Sequence, residues 1–173
     1  SLKDARYIGI KYGRDGANVA MSIASKTEDG KVFVESIDCM SIRAGNNWLF
    51  EYFGNPKLKG IAIDGASGQD LLAKQMTERK VKIKPTLPTV AEIITANSMF
   101  EQALFSNSIC HMGQESLANV VTNCEKRLIG SKGGFGYSSL VDTQDISIMD
   151  SMILAYWLCA SAKEQPKRQT ISI

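Results

Sequence analysis

Gly60-Ile61-Ala62-Ile63-Asp64-Gly65 decides the fold. Four small or apolar residues without polar alternation are the signature of a strand covered on both faces, and Asp64-Gly65 closes it. The spacing predicts a central strand. Upstream, Tyr7-Ile8-Gly9-Ile10, the run Val19 to Ala24 and the run Lys31 to Ile37 are β-rich. They are divided by Gly13-Arg14-Asp15-Gly16 and Glu28-Asp29-Gly30, and two Asp-Gly turns between three such runs make an antiparallel meander. Trp48, Leu49, Tyr52 and Phe53 then recur at helical spacing until Gly54-Asn55-Pro56 stops the element. Downstream, Ser67-Gly68-Gln69-Asp70 reads as a capping box opening a helix to Arg79, and Val81-Lys82-Ile83 as the next strand, closed by Pro85 and Pro88. Strand, helix and strand in that order make a parallel β-α-β unit.

Thr89-Val90-Ala91-Glu92 is a second capping box, followed by Ile93, Ala96, Phe100, Ala103 and Leu104 on one helical face. Leu117, Val120, Val121, Cys124 and Leu128 mark a further helix by the same period. Gly130 to Tyr137 carries four glycines in eight residues and reads as a loop. The last long helix runs from Asp145 to Lys163. Residues 1–165 are thus expected to form one mixed α/β domain, and 166–173 a flexible tail.

The chain has 173 residues, 44% of them hydrophobic and 22% charged, which excludes disordered and fibrous classes. Twenty Lys and Arg against 18 Asp and Glu leave a net charge of +2, so no bulk positive field announces a nucleic-acid partner. The longest apolar runs, such as Ser151 to Ala162, fall short of the roughly 18 residues of a membrane span, and no charged leader precedes an apolar stretch. The sequence reads as soluble and intracellular, with no membrane partner. Cys39, Cys110, Cys124 and Cys159 lie far apart and His111 is the single histidine, so neither zinc nor a disulfide framework is indicated.

What stands out is acidic. Asp15 lies in the first turn, Asp64 at the C-terminal end of the apolar strand, where ligands of open α/β sheets gather, and Asp145 and Asp150 around the start of the last helix. Asp64 alone also reads as a local turn cap. Asp150 sits at helical spacing from Ile146, Ile153, Leu154 and Trp157, so its carboxylate is partly desolvated; a structural acid paired with Lys or Arg is the plainer account. Carboxylates from separate elements, without histidine or cysteine, suit Mg²⁺ or Mn²⁺, and two such ions roughly 4 Å apart activate a water and stabilise the leaving oxygen of a phosphodiester.

The stretches Tyr7 to Gly16, Gly60 to Gly65, Ser108 to Leu117 and Asp145 to Ala155, in that order over nearly the whole chain, resemble the ribonuclease H-like nuclease domain of bacteriophage large terminase subunits. The resemblance implies a mixed sheet, three antiparallel strands then parallel ones, flanked by helices. It implies a two-ion nuclease that cuts concatemeric double-stranded DNA in the host cytoplasm, working with a packaging ATPase domain, a small terminase subunit and a portal. No Gly-x-x-x-x-Gly-Lys-Ser/Thr loop occurs, so the chain is expected to be the nuclease portion alone. Asp64 carries over as the second-strand ligand, and Asp150, or else Asp145, as the closing-helix ligand. Lys11 departs from the pattern, for the family's principal aspartate belongs in its slot. Either Asp15 takes over, or the Lys11 ammonium stands in the first metal's place, mimicking its charge without its Lewis acidity.

His111 is by resemblance a DNA-facing or supporting residue, and otherwise a hydrogen-bonded strand-end histidine. Lys126, Arg127 and Lys132 suit a grip on phosphates, or equally a solvated helix end with its loop. Arg79-Lys80-Val81-Lys82-Ile83-Lys84 alternates like an ordinary strand facing water. Two rival classes remain. One is a catalytically weak or inactive DNA-binding or motor-docking module of the same fold, motivated by Lys11. The other is a fragment of an actin-like ATPase, which generally needs two such subdomains.

Overall fold

The computed structural model describes residues 6–106, 109–111, 124–129, 134–139 and 143–162, those between 109 and 145 by their backbone alone. In chain order they form β1 (Tyr7–Tyr12), β2 (Asn18–Lys26), β3 (Val32–Ser41), α1 (Asn47–Phe53), β4 (Gly60–Asp64), α2 (Gln69–Glu78), α3 (Val90–Phe105), β5 (Ile109–His111), β6 (Cys124–Ile129), β7 (Gly134–Ser139) and α4 (Thr143–Ser161). Five strands make a mixed sheet in the order β4-β1-β2-β3-β5. The meander β1-β2-β3 is antiparallel, as its two Asp-Gly turns require, with a register shift at Met21/Ser22. β4 runs parallel to β1 and β5 parallel to β3. Among the described residues no helix is long and apolar enough to cross a membrane.

Strand alternation sorts the core into two layers. Ile8, Ile10 and Tyr12 of β1, with Ile61 and Ile63 of β4, pack on Leu49 and Phe53 of α1 and Leu72 and Met76 of α2. On the opposite face Ala62, Val32 and Val34 meet Ala96 and Phe100 of α3 and the apolar side of α4. α4 comes closest at Gly9, where an added Cβ would stand 2.2 Å from the Ser151 carbonyl oxygen and 2.5 Å from the Ala155 nitrogen. Only a residue without a side chain lets the helix backbone rest on the strand there. Beside it, the buried hydroxyls of Ser22 and Ser151 share a hydrogen bond of 2.6 Å, so this close contact leaves neither without a partner.

Several elements differ from the sequence expectation. β4 is covered on both faces, Ile61, Ala62 and Ile63 being fully buried, but it is not central: β1 is interior, and beyond β4 lies a single parallel bridge from Ala62 to Thr86. Val81-Lys82-Ile83 is not a strand. The chain turns at Lys80, whose φ is +57°, and pairs only at Thr86, which donates to the Ile61 carbonyl at 2.8 Å and accepts from the Ile63 N–H at 2.9 Å. Prolines 85 and 88 bracket that residue and have no N–H with which to extend the ladder.

The Thr89–Glu92 capping box forms as expected. The Ser67–Asp70 box does not: α2 starts at Gln69 behind Gly68, and the Ser67 hydroxyl bonds the Gly13 carbonyl oxygen at 3.2 Å. The helix read through Cys124 and Leu128 is also overturned. Those residues lie in β6, which pairs antiparallel with β7, so a strand also replaces much of the expected glycine-rich loop. Residues 112–123, 130–133 and the tail at 166–173 lie outside the described residues.

Candidate active site at the ends of β1 and β4

Because β4 runs parallel to β1, Lys11 and Asp64 are register partners at the C-terminal ends of neighbouring strands. Both belong to the set that faces α4, two residues beyond Gly9 and Ala62. The Lys11 Nζ donates to Asp64 Oδ2 at 2.5 Å, with 15% and 16% of the two side chains exposed. A largely desolvated carboxylate at a strand end has thereby acquired its cation from its own sheet.

The loop after Asp64 is drawn tightly onto β1. At Gly65 φ is +112°, and a Cβ would stand 2.3 Å from the Tyr12 carbonyl oxygen; at Gly68 it would strike the Tyr12 ring. The Tyr12 hydroxyl donates to Asn46 Oδ1 at 2.8 Å, and Asn46 Nδ2 donates to Gln75 Oε1 at 2.8 Å, tying the end of β1 to α1 and α2. Burial pushes the Tyr12 phenol up, the Asn46 bond opposing only in part. The phenol is therefore a fixed donor rather than an acid at neutral pH.

Asp150 lies one helical turn before Leu154 on α4. Leu158 lies over Gly60 at the start of β4 and Leu154 over Gly9, so the stripe 158, 154, 150 advances along β1 and β4 toward Lys11 and Asp64. Tyr156, on the other flank of α4, packs edge-to-face on Phe100 of α3 at 5.7 Å. Asp150 is half-buried there, as its apolar neighbours implied.

Asp15 is exposed in the β1–β2 turn, where its Oδ1 accepts from the Ala17 N–H at 3.0 Å. A Cβ added to Gly13 would stand 3.2 Å from that Oδ1, 3.1 Å from Ser147 Oγ on α4 and 2.8 Å from Asn18 Oδ1. Asn18 Oδ1 is buried without a hydrogen-bond partner among the described residues. Asp15 therefore belongs to the same end of the sheet, on the α4 side, already engaged as a turn cap. Sequence reading missed Ser147 and Asn18 and took Ser67 for a helix cap, since single small polar residues gain their place only from where the fold sets them. Asp145 lies in the second residue pair of α4 and His111 at the end of β5, opposite Val34, while Lys126 and Arg127 lie in β6; their side chains, and Lys132 entirely, fall outside the described residues.

Two solved structures share this fold. The chain superposes on the HK97 bacteriophage large terminase with a TM-score of 0.63 at 13% identity, over 90% of this chain and 41% of that one. The fold is ribonuclease H-like. The yeast mitochondrial Holliday junction resolvase Ydc2 matches over 91% of this chain and 78% of its own, with a TM-score of 0.53 and 13% identity. The chain thus spans about two-fifths of the terminase. No protein-family model and no curated protein matches it in sequence.

Divalent ions are the usual cofactors of this fold, so the donor set must be weighed for fit. Among the described residues no three His, Cys, Asp or Glu side chains lie together in a way that could hold a metal ion. Two carboxylates, with waters and a substrate phosphate completing the shell, suffice for one Mg²⁺ or Mn²⁺, and Asp64 with Asp150 provide hard oxygens of that kind. The Lys11 ammonium already sits on one oxygen of Asp64.

Proposed function

We propose that this chain is the endonuclease portion of a phage DNA-packaging large terminase and hydrolyses phosphodiester bonds of concatemeric double-stranded DNA in the host cytoplasm. The single observation behind the reading is Asp64, at the C-terminal end of β4 in a ribonuclease H-like sheet whose parallel neighbour β1 is crossed by α4. A packaging ATPase domain, a small subunit and a portal are its partners by the same resemblance.

Asp64 and Asp150 would hold one Mg²⁺ or Mn²⁺, which supplies Lewis acidity toward a phosphoryl oxygen and a water of lowered pKa. The chain's own residues do the rest. Lys11 fixes the rotamer of Asp64 through Oδ2, leaving Oδ1 for other work, and its remaining N–H groups offer positive charge to a phosphate. The glycines at 65 and 68 keep the β4–α2 loop low against Tyr12, so that an extended backbone can approach the strand ends. Among the described residues Asp15 does not join Asp64 and Asp150 in a three-acid cluster, so Asp145 is the remaining acid that the resemblance offers to the set, and Lys126, Arg127, Lys132 and His111 are assigned to DNA contacts.

Nicking of supercoiled plasmid in Mn²⁺ tests the reading. Asp64→Ala and Asp150→Ala should each lower the rate by more than about a hundredfold. Undiminished cutting by either variant refutes the assignment. A non-catalytic DNA-binding or docking module is the second reading, favoured by the ion pair that engages Asp64; it requires that calorimetry detect no Mn²⁺ binding at all.

A further inference from the structure

We infer that the Lys11 ammonium permanently takes the place of one of the two divalent ions of this fold's usual site, so that the chain binds at most one divalent ion at the ends of β1 and β4. The inference rests on the nuclease reading only in locating the site, and three independent features carry it.

The first is register. Lys11 is the direct parallel-ladder partner of Asp64, on the face turned to α4, so its cation is delivered by the backbone of a buried interior strand rather than by a mobile surface chain. The second is contact. Nζ lies 2.5 Å from Oδ2 with both side chains largely out of water, a separation at which a second cation on that oxygen would face a full positive charge in a poorly screened setting. The third is the donor count. Two ions need bridging carboxylates and several terminal ones, and the described residues hold no cluster of three candidate ligands. Asp15, the acid closest in sequence to the vacant role, accepts from the Ala17 N–H of its own turn and forms no three-acid cluster among the described residues. Lys11 thus neutralises and positions Asp64 as a bound ion would, without offering a water to activate.

Calorimetric titration of the wild-type chain with Mn²⁺, with electron paramagnetic resonance on the same samples, reads the stoichiometry directly. No more than one ion per chain and no exchange-coupled pair signal are expected. Lys11→Asp should add one ion per chain, giving a coupled signal where wild type binds one. Lys11→Met, which removes the ammonium without adding a ligand, should tighten Mn²⁺ binding by about tenfold or more, because the freed oxygen no longer shares its charge. Two coupled ions in the wild-type chain would overturn the inference, and so would unchanged affinity in folded Lys11→Met or unchanged stoichiometry in folded Lys11→Asp. Plasmid nicking on the same preparations separates the two claims. Cutting with two coupled ions keeps the nuclease and removes the role of Lys11; a gained ion without any cutting keeps that role and removes the nuclease.

Discussion

Lys11 and Asp64 face each other across parallel register at the ends of β1 and β4. Their contact joins two strand ends, and removing either partner leaves the other charged and mostly desolvated, the situation that makes half-buried pairs costly to break one side at a time. The roles of Asp64 and Lys11 could be proposed from sequence because each ends or interrupts an apolar run, which makes a charge conspicuous. Asn18, Ser67 and Ser147 could not, since isolated small polar residues look alike in loops and in sites. Away from this end, Cys159 is fully buried, and desolvation pushes its thiol up to about 11, with Lys26 and Lys59 opposing. A thiol whose folded value is raised contributes stability that is complete below its unfolded value near 9 and is lost as pH rises toward 11. Urea denaturation should therefore show stability flat from pH 6 to 8 and falling above about pH 9, by up to about 1.4 kcal/mol per pH unit for this group. Cys159→Ala should flatten part of that slope.

At the scale of elements, α4 is the member that organises the site, and Gly9 is where it docks. Gly9→Ala would drive a Cβ into the Ser151 carbonyl, and because backbone on both sides must shift, a loss of about 1–3 kcal/mol or more is expected in equilibrium unfolding. The same substitution should weaken activity, since it lifts the turn bearing Asp150 away from Asp64. Elements with strong local signals were legible: the meander from its Asp-Gly turns, α3 from its capping box, and α4 from a long apolar stretch, starting two residues before the expected position. Elements decided by pairing were not. Leu117 to Leu128 has helical spacing, yet Cys124–Ile129 finds a partner in Gly134–Ser139, and the hydrogen bonds of that hairpin outweigh a short periodic pattern. At Val81-Lys82-Ile83 the strand pattern is present but the chain reaches the sheet edge only at Thr86, where two prolines confine it to one bridge.

For the whole molecule, a net charge of +2 supplies no bulk positive field, so the DNA affinity that the proposed nuclease role requires has to be local. With Lys126, Arg127 and Lys132 as its phosphate contacts, the logarithm of DNA affinity should fall with the logarithm of salt at a slope of about −3, and replacing Lys126 and Arg127 by Gln should reduce that slope by about 2. A slope unchanged by the double substitution would place the DNA elsewhere. The parallel pairing of β1 and β4 brings Lys11 and Asp64 to the same end of the five-stranded sheet. The most direct test of the central claim is the anomalous difference map of crystals soaked in Mn²⁺. The account predicts one peak, in contact with the carboxylates of Asp64 and Asp150, with the Lys11 ammonium still on Oδ2; a pair of peaks, or manganese bound away from Asp64, would contradict it.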